Sequence, residues 1–140
     1  MMTNRRWQPL AVAYIATLLV FLAADALWLG LLMGPTYAEW LGPLMLAPPR
    51  LAPAAAFYLL IGIGLLVFGV LPGLRSSSLA TTARLSALLG LMAYGTYDLT
   101  NYATLRDWPL ALTLIDLAWG TFLCALAGSA GYLAARQLKP

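Results

Sequence analysis

The sequence predicts an all-α fold, a four-transmembrane-helix bundle forming a single integral membrane domain over residues 1–140, and three observations carry that reading. Hydrophobic residues make up 62% of the chain against 9% charged, with a mean hydropathy of +0.83, far from a soluble composition. Four apolar runs, each near the roughly 20 residues that a helix needs to cross a bilayer, use up nearly the whole length. Within those runs small and polar residues recur every three or four positions, the period of a helix face. No room is left for a separate catalytic domain. Nucleotide-binding loops and nucleic-acid modules are missing as motifs too, so no nucleic-acid partner is expected.

The first run covers residues 10–33, follows Arg5-Arg6 and carries one charge, Asp25. Its start resembles a signal peptide, with Ala24-Asp25-Ala26 at a plausible cleavage position. The apolar run continues past that point through Trp28 to Met33, and cleavage would leave only three evident spans, so it reads as a membrane span. Pro35, Gly42-Pro43, Pro48-Pro49 and Pro53 then forbid an unbroken helix. Between them Thr36-Tyr37-Ala38-Glu39-Trp40-Leu41 has the aromatic content of a short interfacial segment. The second run, residues 54–72, stops at Pro72-Gly73, and a polar, basic connection from Arg75 to Thr82 and Arg84 follows. The third run, 85–105, holds Asp98 as its only charge; Arg106-Asp107-Trp108-Pro109 makes a tight turn; the fourth, 109–135, holds Asp116 alone.

Basic residues set the orientation. With the N-terminus in the cytoplasm, Arg5, Arg6, Arg75, Arg84, Arg136 and Lys139 lie inside and only Arg50 and Arg106 outside. Both termini are therefore expected to be cytoplasmic.

Chemistry is narrowed by what is missing. There is no histidine, which removes the commonest general base and metal ligand, and the single cysteine, Cys124, sits in an apolar run, so neither a disulfide nor a thiolate metal cluster is expected. No metal or other cofactor is anticipated. The three intramembrane carboxylates stand out, because a charge near the bilayer centre costs ~3 kcal/mol or more unless it finds a partner or a wet cavity. At 1.5 Å rise per residue, Asp25 lies about 12 Å, and Asp98 and Asp116 each about 10 Å, from the outer ends of their spans, in one layer. No intramembrane Lys or Arg neutralises them. Either protons are retained or a cation or cationic ligand sits among them. Asp25, Asp98 and Asp116 are thus the candidates for any catalytic role, with proton transfer by a carboxyl and hydrogen bonding by a tyrosine as the available chemistry.

Their neighbours can be read from the helical period. Ser86, Gly90, Tyr94 and Asp98 form one stripe, with Asn101 one turn on and Tyr97 alongside; Asp116, Gly120, Cys124 and Gly128 form another. Trp28 and Trp119 each follow an aspartate by three residues, and Tyr58 lies on a Gly-lined face of the second run. Trp28, Tyr58, Tyr94, Tyr97, Asn101 and Trp119 are accordingly the candidate ligand-binding residues. Small-residue stripes also serve as packing seams, and Gly/Ala faces could join copies of the chain or a membrane partner.

The segments Asp25-Ala-Leu-Trp28-Leu-Gly, Phe57-Tyr58, Ala93-Tyr94-Gly-Thr-Tyr97-Asp98-Leu-Thr-Asn101, Trp108 and Asp116-Leu-Ala-Trp119-Gly120 resemble a family of small bacterial membrane proteins known as domain of unknown function 2177, from about Ala13 to Gly131. The resemblance implies a four-helix polytopic protein of the bacterial inner membrane and brings no reaction with it. Three functions remain: a site that binds or modifies a lipid or lipophilic small molecule, a proton- or cation-coupled transporter working as an oligomer, and a non-catalytic membrane subunit. Whether the protein is an enzyme stays open at the level of sequence.

Overall fold

The computed structural model describes residues 4–138, and all regular structure among them is helical. Lys139 lies outside the described residues, as do the side chains of Arg5 and Arg6.

Helix α1, Asn4–Leu27, begins ahead of the expected span and keeps Pro9 inside it at the loss of one hydrogen bond. It continues as a π-helical stretch, Trp28–Leu32. Pro35 then stands in the first turn of α2, Gly34–Leu41, where a missing N–H is harmless. Gly42 ends α2 with φ at +44°, a conformation that side chains with a Cβ rarely adopt. A 3-10 turn, Gly42–Leu44, and an extended link lead to α3, Leu51–Gly64.

The second rod differs from expectation at its end. Pro72-Gly73 does not stop it: α3 passes through a π-helical stretch, Leu65–Val70, into α4, Leu71–Ser76. The wider bonding of that stretch, with the Leu71 N–H reaching back to the Leu66 carbonyl, puts Pro72 in the first turn of a new helical register, where it fits. The rod closes at Ser77, whose φ is +52°, and Ser78 immediately caps α5, Leu79–Thr104, by accepting from the Thr81 N–H at 3.1 Å. That cap makes the expected polar connection helical, Thr82 and Arg84 included. Pro109 leads into α6, Leu110–Arg136.

Trp7–Leu32, Leu51–Ser76 and Leu110–Arg136 are long and apolar enough to cross a membrane. Helix α5 is as long, 26 residues, but carries Asp98, Asn101 and several Thr and Tyr side chains. Helix α6 packs along both α5 and α1, and α5 also packs on Leu65–Ser76.

The small-residue stripes are the α5–α6 seam. A Cβ placed on Gly90 would sit 2.7 Å from that of Cys124, and one on Gly128 would sit 2.9 Å from that of Ser86. The Tyr94 ring covers Gly120 in the same way. Ser86 with Gly128, Gly90 with Cys124, Tyr94 with Gly120: each pair is one turn further along antiparallel helices, and the next turn sets Asp98 opposite Asp116. The core runs lengthwise in three clusters, with Val70 and Tyr132 at one end, Phe21, Leu65 and Leu123 in the middle, and Tyr37, Trp108 and Leu112 at the end covered by α2. Outside it, Ile15, Leu19, Leu60, Phe68, Met92 and Phe122 are exposed, an apolar surface of the kind lipid covers.

Candidate functional site

Helices α1 and α6 run antiparallel, so the two Asp-x-x-Trp pairs meet head to tail. Asp25, buried on α1, accepts from Trp119 Nε1 at 3.3 Å on one oxygen and from the Tyr58 phenol at 2.7 Å on the other. Asp116, buried on α6, accepts from the Tyr37 phenol, whose oxygen in turn accepts from Trp28 Nε1 at 2.8 Å. The indoles themselves stack, with centroids 4.3 Å apart and planes within 5°. Each aspartate is thus served by the tryptophan of the other pair, directly for Asp25 and through Tyr37 for Asp116. The π-helical stretch that begins at Trp28 widens α1 at this point, a device that often marks functional positions.

Tyr37 is the residue that sequence reasoning missed. It belongs to α2, the segment expected only to lie at the headgroup level, yet it is buried against Trp108 and Leu112. Burial and the adjoining Asp116 carboxylate hold its phenol far above the ordinary tyrosine range, so it stays neutral and donates. A signal was present: Asp116 needs an O–H or N–H donor, and the connection at that end of the molecule offers Tyr37 and Trp40.

Asp98 is the opposite case. It is fully buried, and neither of its carboxyl oxygens has a hydrogen-bond partner among the described residues. Its backbone carbonyl is tied to α6, accepting from the Thr113 hydroxyl at 3.4 Å, while that hydroxyl accepts from Trp108 Nε1 at 3.0 Å. One turn beyond Thr113 stands Asp116. Two buried carboxyls facing each other require either a shared proton or a positive group close by.

These residues enclose a cavity of about 270 Å³, lined by Asp25, Trp28, Tyr94, Tyr97, Asp116 and Trp119 together with Tyr37 and apolar side chains that include Leu41 and Met45. Six of the nine predicted site residues therefore share one cavity. Tyr58 joins through its bond to Asp25, and Asp98 stands behind Asp116. Asn101 does not take part: it is half-buried and lines no part of the cavity. Among the described residues no group of three His, Cys, Asp or Glu is placed to hold a metal ion.

Neither a curated protein nor a solved structure matches the chain. A family model described as predicted membrane protein (DUF2177) matches residues 10–133, a stretch that contains every residue of the cavity. The chain belongs to this DUF2177 family of predicted membrane proteins.

Proposed function

We propose that the protein holds an amphiphile, a lipid or lipophilic small molecule, with its polar head against Asp25 and Asp116. The observation that carries this reading is the convergence of two carboxylates from antiparallel helices on one part-open cavity that, among the described residues, no Lys or Arg lines. Trp119, Tyr58 and Tyr37 donate to those carboxylates and Trp28 to Tyr37, so what Asp25 and Asp116 offer the cavity, beside the Tyr94 and Tyr97 side chains, is acceptor capacity and negative charge. A head that donates hydrogen bonds and carries a positive charge, an ammonium group above all, complements it. A volume of about 270 Å³ suits a head group better than a whole lipid.

The reading includes four membrane crossings, with α5 as the most polar because its Asp98 face is turned to α6. It also includes a bacterial inner-membrane location with both termini cytoplasmic and α2 at the outer surface, supported by the six-to-two division of basic residues.

The test is purification from membranes under mild conditions followed by native mass spectrometry, with Asp25→Asn and Asp116→Asn beside the wild type. A small molecule retained by the wild type and lost from both variants is the expected result. Undiminished retention by both variants would refute the assignment of the head group. A copurifying protein in place of a small molecule would favour the membrane-subunit reading, and liposome proton flux abolished by Asp98→Asn would favour transport.

A further inference from the structure

A second cavity, of about 260 Å³, is bounded by Phe57, Ala93, Tyr94 and Tyr97. It opens on the flank of the molecule, where Phe57 is 40% and Tyr97 54% exposed. Its origin lies in how α5 meets the Leu51–Ser76 rod. Over the lower half of that rod the two are in close contact, with Ser86 against Gly69 and Thr82 against Gly73 leaving no space for a Cβ. The upper half, α3, leans toward α1 instead: Tyr14 donates to the Leu59 carbonyl at 3.2 Å and its ring lies over Gly62. The Phe57 ring bridges back to Tyr94 edge-on, with centroids 6.5 Å apart. Helices α3 and α5 therefore diverge toward the α2 end and leave a largely apolar cleft open on the flank of the molecule. Tyr94 and Tyr97 line both this cleft and the acidic cavity, so the two spaces adjoin at these side chains.

Building on the amphiphile reading, we infer that the cleft between α3 and α5 holds the ligand's hydrocarbon chain, and that the ligand reaches the carboxylates sideways from the lipid. The occupant is an amphiphile with a long alkyl chain, because the cleft is walled mainly by carbon, lies on a flank rich in exposed apolar side chains and abuts the head-group cavity. Sideways access keeps the chain in hydrocarbon throughout, whereas approach from water would expose every methylene. Ala93, the smallest side chain on the cleft, is what keeps it open.

The experiment uses the full chain in phosphatidylcholine nanodiscs and two probes with the same ammonium head, octadecylamine and butylamine, titrated against intrinsic Trp fluorescence. Ala93→Phe fills the cleft from α5, and Phe57→Trp narrows it from α3. Each is expected to weaken octadecylamine at least tenfold while leaving butylamine within twofold. Two independent variants guard against one that folds poorly. Unchanged octadecylamine binding in both overturns the cleft assignment, and so does equal weakening of both amines, which would mean that the substitutions act on the head cavity. Asp25→Asn separates the two claims, since it is expected to weaken both probes. If it weakens neither while Ala93→Phe still discriminates between them, the acidic head site is wrong and the chain cleft stands.

Discussion

Asp98 and Asp116 face each other across α5 and α6, one helical turn beyond the Tyr94–Gly120 contact, in a seam whose other turns pair Gly90 with Cys124 and Ser86 with Gly128. The seam explains the carboxyl pair. Small residues draw two helix backbones together, and a register fixed turn by turn by such contacts leaves the last pair no freedom to slide apart. Asp98 is held there although it has no donor among the described residues.

If the pair is short of a hydrogen, an amide should supply it. Asp98→Asn keeps the shape and offers an N–H to Asp116, so thermal unfolding in detergent is expected at or above the wild-type temperature. Asp98→Ala leaves Asp116 facing a void and is expected to lose about 1–3 kcal/mol. An Asn variant as unstable as the Ala variant would show that Asp98 meets a positive partner as a full carboxylate.

Tyr37 is the joint between α2 and the site, and Tyr37→Phe leaves both Asp116 Oδ1 and Trp28 Nε1 without the partner they have now. The expected cost is about 2 kcal/mol, the range for stranding buried polar groups. The phenol's raised pKa also sets a pH window. Its contribution is complete below the ordinary tyrosine range and is lost as pH climbs through the elevated folded value. Alkaline stability profiles of wild type and Tyr37→Phe should therefore converge at high pH, and a constant difference between them would contradict the assignment.

Much of this was legible in the sequence because helical period and bilayer cost both act locally. The stripes that begin at Ser86 and Asp116 gave the seam, and three carboxylates among apolar residues gave the site. What sequence could not supply is pairing. That Trp119 serves Asp25 while Trp28 serves Asp116 through Tyr37 depends on α1 and α6 meeting antiparallel, a tertiary fact. The helix end near Pro72 is hidden from sequence for a different reason. A proline's effect depends on the hydrogen-bond register it enters, and the π-helical stretch before it changed that register.

The Trp28–Trp119 stack has a spectroscopic consequence. Two parallel indoles at 4.3 Å couple their transitions, so a circular-dichroism couplet is expected in the wild type. Trp28→Phe and Trp119→Phe should each abolish it entirely, since a couplet needs both partners, whereas Trp7→Phe, far along α1, should leave it intact. Half-loss in each variant would show that the rings do not couple. Trp119→Phe should in addition weaken ligand retention, because it alone strips Asp25 of an N–H donor.

The close approach of α5 and α6 is open to the most direct test through two glycines. A Cβ on Gly120 would drive into the Tyr94 ring, whereas one on Gly30, in the π-helical stretch, meets nothing within 4 Å. Gly120→Ala is expected to destabilise by about 1–3 kcal/mol through overpacking, and Gly30→Ala to stay within about 0.5 kcal/mol of wild type or exceed it, as an open helical glycine replaced by alanine should. Because Tyr94 also walls both cavities, the Gly120→Ala strain should reach the ligand, and relieving it with Tyr94→Leu in the same chain should restore stability but not binding. A double variant no more stable than Gly120→Ala alone would mean that the ring is not what the added methyl strikes, and that the seam is looser at this turn than the Gly90–Cys124 and Ser86–Gly128 contacts require.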